Sequence, residues 1–528
     1  MQNGDARELI ERISAQLEPA DVAHGRAEWR LTTTGDEAAQ SEMAEARARW
    51  MRLFADDALW ERVRALRAES GTDPLVARQL DVLYSMFLEY RFAPDEIERI
   101  ASLEAETNHL FNTYRGRIGD RKVTSNDIEQ ILASSTDIAE RRAAWEASKG
   151  VGPIVRENVL ELARLRNGAA QRAGFRDFYA MQLAAQEIDE SWLFGTLERL
   201  RTLTEEPFRR RKAELDARIA AEMGFAADDL QPWHYADPFF QERPDIGDFK
   251  LDPLFEAADI EALTLATYDG LGFDIRDIVE RSDLYEREGK DQHAFCLNIG
   301  RSGDVRVLCN LRPTARWMET NLHEFGHAVY DKHLDYGLPY LLRNVAHINC
   351  TEAIAMLMGR LPNLPDWLVG IRGVERAEAD RIGGVLRDQL STQMLILVRW
   401  CLVMIHFERD LYGDPDRDDL NTLWWDYAER FQGLTRPEGR DEPDWASKIH
   451  LALAPVYYHN YMLGEMIASQ IQHRVEATAG GLVNSATAGA YLRDGLFRLG
   501  ATLRWDRTVE QLTGEPLSVE YFATQFVR

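Results

Sequence analysis

His323-Glu324-Phe325-Gly326-His327 sets two imidazoles four residues apart, with a carboxylate beside the first. On an α-helix, positions i and i+4 lie about 40° apart in azimuth and about 6 Å apart along the axis. Two imidazoles so placed can take adjacent corners of one tetrahedral zinc site, at about 2.0–2.1 Å per bond. Glu324 stands where it can take a proton from a water held at the metal rather than bind the metal itself. The chemistry such a pattern could do is metal-assisted hydrolysis. The flanks predict the helix this requires. Pro313 and Thr314 give a start, Trp317, Leu322, Phe325 and Val329 recur at roughly helical spacing, and Gly337 with Pro339 gives a stop.

A site of this kind needs one more side chain, from a second element. Between Tyr336 and Pro365 the only carboxylate is Glu352. It opens a second helical pattern that runs to Leu361, with Thr351 or Asn349 as cap and Pro362 as stop. A Glu in the first turn of an apolar, buried helix is costly unless something pairs with it, and a metal ion would. The bland alternative is a Glu that merely favours the helix N-terminus. His333 has the spacing of the third ligand in the pattern HExxHxxGxxH, but that pattern needs a Gly where Tyr330 stands. On a continuing helix His333 would project about 80° from His323 and about 15 Å along the axis, out of reach. His347 lies in a segment with no clear partner motif, and Cys350 is a softer ligand than a hydrolytic site prefers. Glu352 is the expected ligand.

Around these residues the sequence reads as mainly α. Long amphipathic stretches cover Ala6–Leu17, Glu37–Phe54, Leu75–Phe92, Glu96–Tyr114, Ser125–Ser148, Val155–Ala173, Glu190–Met223, Glu375–Leu411 and Leu420–Phe431. The clearest β signal is a hairpin, Ala294–Ile299 and Val305–Leu311, just before the metal helix. A sheet edge beside a metal site is a natural place for a peptide to add itself as a further strand. The apolar run Met394–Phe407 is interrupted by Arg399 and too short to span a bilayer, so it reads as a buried helix. Neither Gln231–Leu254 nor Gly433–Ala446 divides the chain, and the expectation is one catalytic domain over residues 1–528. Within it, residues 1–150 would form a lid-like helical part and 151–528 the core.

Lys and Arg number 62 against 88 Asp and Glu, a net charge of −26, which argues against nucleic acid or an anionic membrane as partner. No apolar run follows Met1, so no signal peptide is expected. The four cysteines, Cys296, Cys309, Cys350 and Cys401, are scattered without a CxxC pair, which points to a reduced, cytoplasmic setting. No obligate protein partner is evident.

With His323-Glu-Phe-Gly-His327 followed by Glu352, the chain resembles the zinc peptidase superfamily that contains angiotensin-converting enzyme and the thimet/oligoendopeptidase F group. Trp424-Trp425 with Arg430-Phe-Gln-Gly433 is similar to the converting-enzyme stretch upstream of its catalytic tyrosine. Lys448-Ile-His450, Pro455 and Tyr457-Tyr-His-Asn-Tyr461 are similar to the segment that carries that tyrosine, and Leu499-Gly500, Trp505 and Leu512-Thr-Gly-Glu515 extend the likeness. It runs from about Val155 to the end. The resemblance implies a helical ellipsoid split by a deep central channel, with one zinc at its floor and N-terminal helices over the mouth.

By the same resemblance, His323, His327 and Glu352 would bind zinc and Glu324 would be the general base. His450 and Tyr461 would stabilise the oxyanion. Lys448 and Tyr458 would hold a substrate's C-terminal carboxylate, and His293 and Ala294 would contact its backbone. Tyr458 and Tyr461 are i, i+3 and share a helix face, whereas Tyr457 and Asn460 share another and are expected to pack. The chain also departs from the family. Trp233-His-Tyr-Ala-Asp237, which matches the region of a carboxylate-binding Gln, contains none, and Ala428 and Asn460 replace chloride-binding arginines. Met356 replaces the carboxylate that follows the glutamate ligand, leaving the partner of a metal histidine unidentified. The Phe of His-Glu-Phe-Gly-His is typical of the thimet side. The expected function is a peptidase releasing dipeptides from the C-terminus of short peptides. The alternatives are an oligoendopeptidase, a catalytically silent peptide-binding protein of the same fold, and a helical scaffold with a fortuitous motif.

Overall fold

A computed structural model describes residues 2–69, 73–244 and 249–527 of the chain. Helices dominate. Among the described residues there are two small antiparallel sheets of two strands each: Gly116–Ile118 with Arg121–Val123, and Phe295–Ile299 with Asp304–Leu308. The mainly α expectation holds, with the predicted hairpin where the sequence put it and a second strand that ends earlier.

Boundaries differ where local signals mislead. The first helix runs over Gln2–Thr34, through Pro19, well beyond the apolar period of Ala6–Leu17. The helix then crosses the hairpin, where the Trp29 ring lies 6.4 Å from that of Phe295 and under Arg306. A Cβ added to Gly25 would touch Ile299 at 3.4 Å. Ser125–Ser148 is two helices, Ser125–Ser134 and Ile138–Lys149, with Asp137 capping the second through Ala139 and Glu140 N–H. Leu420–Tyr427 gives way to a π turn over Ala428–Gln432, closed by Gly433 in the left-handed region. Of Gln231–Leu254, residues 245–248 lie outside the described part.

The longest core helix, Arg376–Gly413, is long and apolar enough by composition to cross a membrane, but 67% of its apolar window is buried inside the protein. Its Arg399 is fully buried. The guanidinium donates to Thr204 Oγ1 at 2.8 Å, pairs with Glu205 at 3.2 Å, and lies over the Phe208 ring, so the charge is matched within the core.

Three helices build the centre. The motif helix is Ala315–Lys332, the glutamate helix Ile348–Gly359 and the tyrosine helix Tyr458–Ala479. Thr314 caps the motif helix by accepting from Trp317 N–H at 3.3 Å. Leu322, Phe325, Ala328 and Val329 are fully buried, which fixes the face turned to the core. The glutamate helix starts earlier than expected. His347, not Thr351 or Asn349, is its cap, its Nδ1 accepting from Asn349 N–H at 3.2 Å. Glu352 therefore sits past the first turn, on a helix buried nearly all round.

Candidate active site

The motif and glutamate helices can pack closely because Gly326 lies at their crossing. A Cβ there would stand 2.7 Å from Ala355 Cα and 3.2 Å from Ala355 N, both backbone atoms. At the facing crossing, a Cβ on Gly464 of the tyrosine helix would stand 3.1 Å from Glu352 Cβ. Glu352 is thus set between two helices by what its neighbours lack. Gly326→Ala is expected to lower the melting temperature and metal binding together. Overpacking costs roughly 1–3 kcal/mol, more than the roughly 1 kcal/mol of helix propensity gained. A variant with wild-type melting temperature and metal content would show that the helices part without moving the ligands.

The ligating atoms of His323, His327 and Glu352 all lie within 4.8 Å of one another. His323 Nε2 is 3.7 Å from Glu352 Oε2, and the two imidazole centroids are 5.0 Å apart at 83°. Burial lowers the pKa of both rings, His323 to about 4, so both are neutral and able to bind metal. His327 Nδ1 lies 2.7 Å from Thr351 Oγ1, which leaves Nε2 as the nitrogen free to bind a metal. Tyr457 donates its hydroxyl proton to Glu352 Oε1 at 2.9 Å. Two neutral imidazoles and a carboxylate, each of these last two held by a neighbour, form a donor set that fits zinc. His333 turns instead to Val329 O at 2.8 Å, and His347 serves as the cap.

These residues open into a cavity of about 730 Å³, with Glu324, Tyr461 and Ala294 also on its wall. Burial, then the charge of Glu352, raises Glu324 to about 8. The half-buried strand residues Phe295, Cys296, Leu297 and Asn298 form one side, and Asp21, Glu28, Trp50 and Tyr90 of the N-terminal helices form another. Asp21 ties these parts together. It accepts from the Trp50 indole and the Tyr340 hydroxyl and lies 3.3 Å from Arg301 in the hairpin turn.

Beyond Tyr461 the chain gathers a second group. The Tyr458 ring sits 5.5 Å from that of Tyr461, 5.0 Å from His450 and 5.8 Å from Trp400. His450 Nδ1 is buried and makes no hydrogen bond to the described residues. Lys448 is no solvated surface lysine. Its Nζ lies 5.1 Å from the Phe239 centroid and 5.2 Å from that of Trp400, and it donates to Gln241 Oε1 at 2.9 Å. Burial lowers Lys448 to about 8, against the pull of Asp237 and Glu242. His293 stays outside the group, its side chain 94% exposed and 3.3 Å from Asp291.

Three residues escaped the sequence reading. Gln241 brings an amide to Lys448, where Trp233–Asp237 has none. It comes back because Asp237 accepts the N–H groups of Phe239, Gln241 and Glu242, closing a tight turn with Phe240 at φ +50. An Asp ahead of a turn is the signal that could have found it. Thr351 was read only as a cap, although one residue before Glu352 it faces the motif helix. Tyr457 caps the tyrosine helix and pairs with Tyr461 at i, i+4. Its backbone carbonyl accepts from Asn460 N–H at 2.8 Å, and its hydroxyl reaches across to Glu352 instead of packing in the core.

Comparison with known proteins finds the pattern described as peptidase family M3 over residues 131–528, and that described as angiotensin-converting enzyme over residues 1–204. The chain is similar to the angiotensin-converting enzyme of Theromyzon tessulatum, 20% identical over 489 residues that cover 84% of this chain and 78% of that protein. It is 23% identical over 444 residues to angiotensin-converting enzyme-like protein Ace3 of Mus musculus, covering 76% and 59%. With the angiotensin-converting enzyme of Haematobia irritans exigua it shares 23% over 283 residues, covering 50% and 44%.

Proposed function

The chain belongs to peptidase family M3 and is a metallopeptidase, and we propose that it uses zinc to release dipeptides from the C-terminus of short peptides. The observation that carries the zinc reading is the convergence of His323, His327 and Glu352 within 4.8 Å, on a cavity that also presents Glu324. A zinc ion held there supplies a Lewis acid for the scissile carbonyl and acidifies a water. Glu324 accepts the proton of the attacking water and returns it to the leaving amine. The hydroxyl of Tyr461 and the imidazole of His450 donate to the oxygen on which negative charge develops. Ala294, at the start of the hairpin edge, meets the substrate backbone, with His293 beside it. The free state of all four cysteines and the charge of −26 support a cytoplasmic enzyme that acts on peptides rather than on nucleic acid or membrane.

Release of dipeptides requires recognition of a free C-terminus. Lys448, Gln241 and Tyr458 offer a cation and polar groups for it, two residues from His450 in the case of Lys448. A charge-assisted bond of this kind contributes about 1.5–3 kcal/mol, or roughly ten- to a hundredfold in kcat/KM. The test compares a good substrate as free acid and as amide, with products identified by mass spectrometry in the presence and absence of chelator. The acid is expected to be cleaved faster by that factor, and Lys448→Ala to slow the acid alone. The sign with pH follows. Lys448 carries its charge below about pH 8 and loses it above, so the ratio of kcat/KM for the acid to that for the amide falls through that range, while the titration of Glu324, common to both substrates, cancels in the ratio. Equal cleavage of acid and amide would instead favour an oligoendopeptidase.

A further inference from the structure

We propose that Tyr457 is a positioning residue of the metal centre: by holding Glu352 Oε1 it presents the carboxylate to the two histidines through Oε2 alone. The two oxygens are already distinguished. Oε1 accepts from the Tyr457 hydroxyl at 2.9 Å, while Oε2 lies 3.7 Å from His323 Nε2. A carboxylate that closes on a metal with both oxygens takes two coordination positions. A hydrolytic site works with three protein ligands and an open position. Committing one oxygen to a phenol keeps that position open, in the way Thr351 fixes the ring of His327.

The backbone is bent to place this hydroxyl. Val456, immediately before it, has φ +55, a conformation that β-branched residues seldom adopt. The turn is secured by the buried carboxylate of Glu408, which accepts from Val456 N–H at 2.7 Å. Strain of this sort persists only where the surroundings enforce it, and it gathers at functional sites. Tyr457 is then steadied by the Tyr461 ring, edge-on at 5.0 Å. As the cap of the tyrosine helix, at φ −112 and ψ −31, Tyr457 reaches Glu352 while Tyr458 and Tyr461 keep their own shared face.

The inference rests on the reading of His323, His327 and Glu352 as the metal ligands, and the test separates the two. The full chain is loaded with cobalt(II) in place of zinc. The wild type is expected to take one cobalt per chain, with the intense visible bands of a four-coordinate site. Tyr457→Phe is expected to keep its metal-free melting temperature but show the weaker bands of a higher coordination number. Its zinc affinity, read by chelator competition, should fall about tenfold or more. In the Glu352→Ala background the same Tyr457 substitution should change the residual affinity by nothing measurable. A purely structural tyrosine would cost affinity in both backgrounds, and that result, or an unchanged cobalt spectrum, overturns the role of Tyr457 while leaving the metal site standing. A wild type that binds no cobalt overturns the metal site and Tyr457 with it.

Discussion

Glu324→Gln should leave a protein that retains its metal and its peptide affinity and hydrolyses almost nothing. The amide preserves the size and much of the hydrogen bonding of the side chain but cannot accept a proton. General-base catalysis contributes about 10²–10⁴-fold, so kcat should fall by that order with KM little changed. The setting makes the loss hard to bypass. Glu324 is 7% exposed, on a helix face fixed by Leu322 and Phe325, and both neighbouring imidazoles are neutral and, in the proposed site, taken up as metal ligands. No other base of comparable strength is placed on the same turn. Metal content and inhibitor binding measured beside kcat keep the outcome readable. Full metal with undiminished turnover would sink the general-base role.

The contrast between what the sequence disclosed here and what it hid follows from the range of the interactions. Motif and glutamate helices were legible because their signals are local: apolar spacing, a Thr cap, a Pro stop. Their convergence was legible because one carboxylate alone stood in the right interval. What the sequence could not disclose were contacts made by residues at element boundaries and turns. Tyr457 is aimed by a left-handed valine, and Gln241 by a turn wound around Asp237, so helical arithmetic predicts neither. His347 was missed as a cap because imidazole is an uncommon one. The passage of the first helix through Pro19 and across the hairpin was hidden for another reason. Past Leu17 its apolar residues are few, and the contact is made by scattered positions such as Gly25 against Ile299 and Trp29 against Phe295.

Tyr461→Phe is expected to lower kcat by about 10²–10³-fold, the usual cost of one oxyanion donor, while moving KM far less. The hydroxyl has the right neighbours for that role. Tyr461 lines the same cavity as His323, His327 and Glu324, and its ring is wedged between Tyr457 at 5.0 Å and Tyr458 at 5.5 Å. Burial and then the charge of Glu352 push its pKa up, so it remains a protonated donor throughout the working range. Helix geometry adds precision. Gly464, one turn on, abuts Glu352, so the element that carries the donor is packed directly on the element that carries the ligand. An interaction strongest in the transition state shows in kcat, whereas one made equally with bound substrate shows in KM. Paired measurements on one peptide, with zinc content checked in the variant, therefore decide the matter. A change confined to KM would make Tyr461 a substrate contact and leave His450, whose Nδ1 makes no hydrogen bond to the described residues, as the donor to test next.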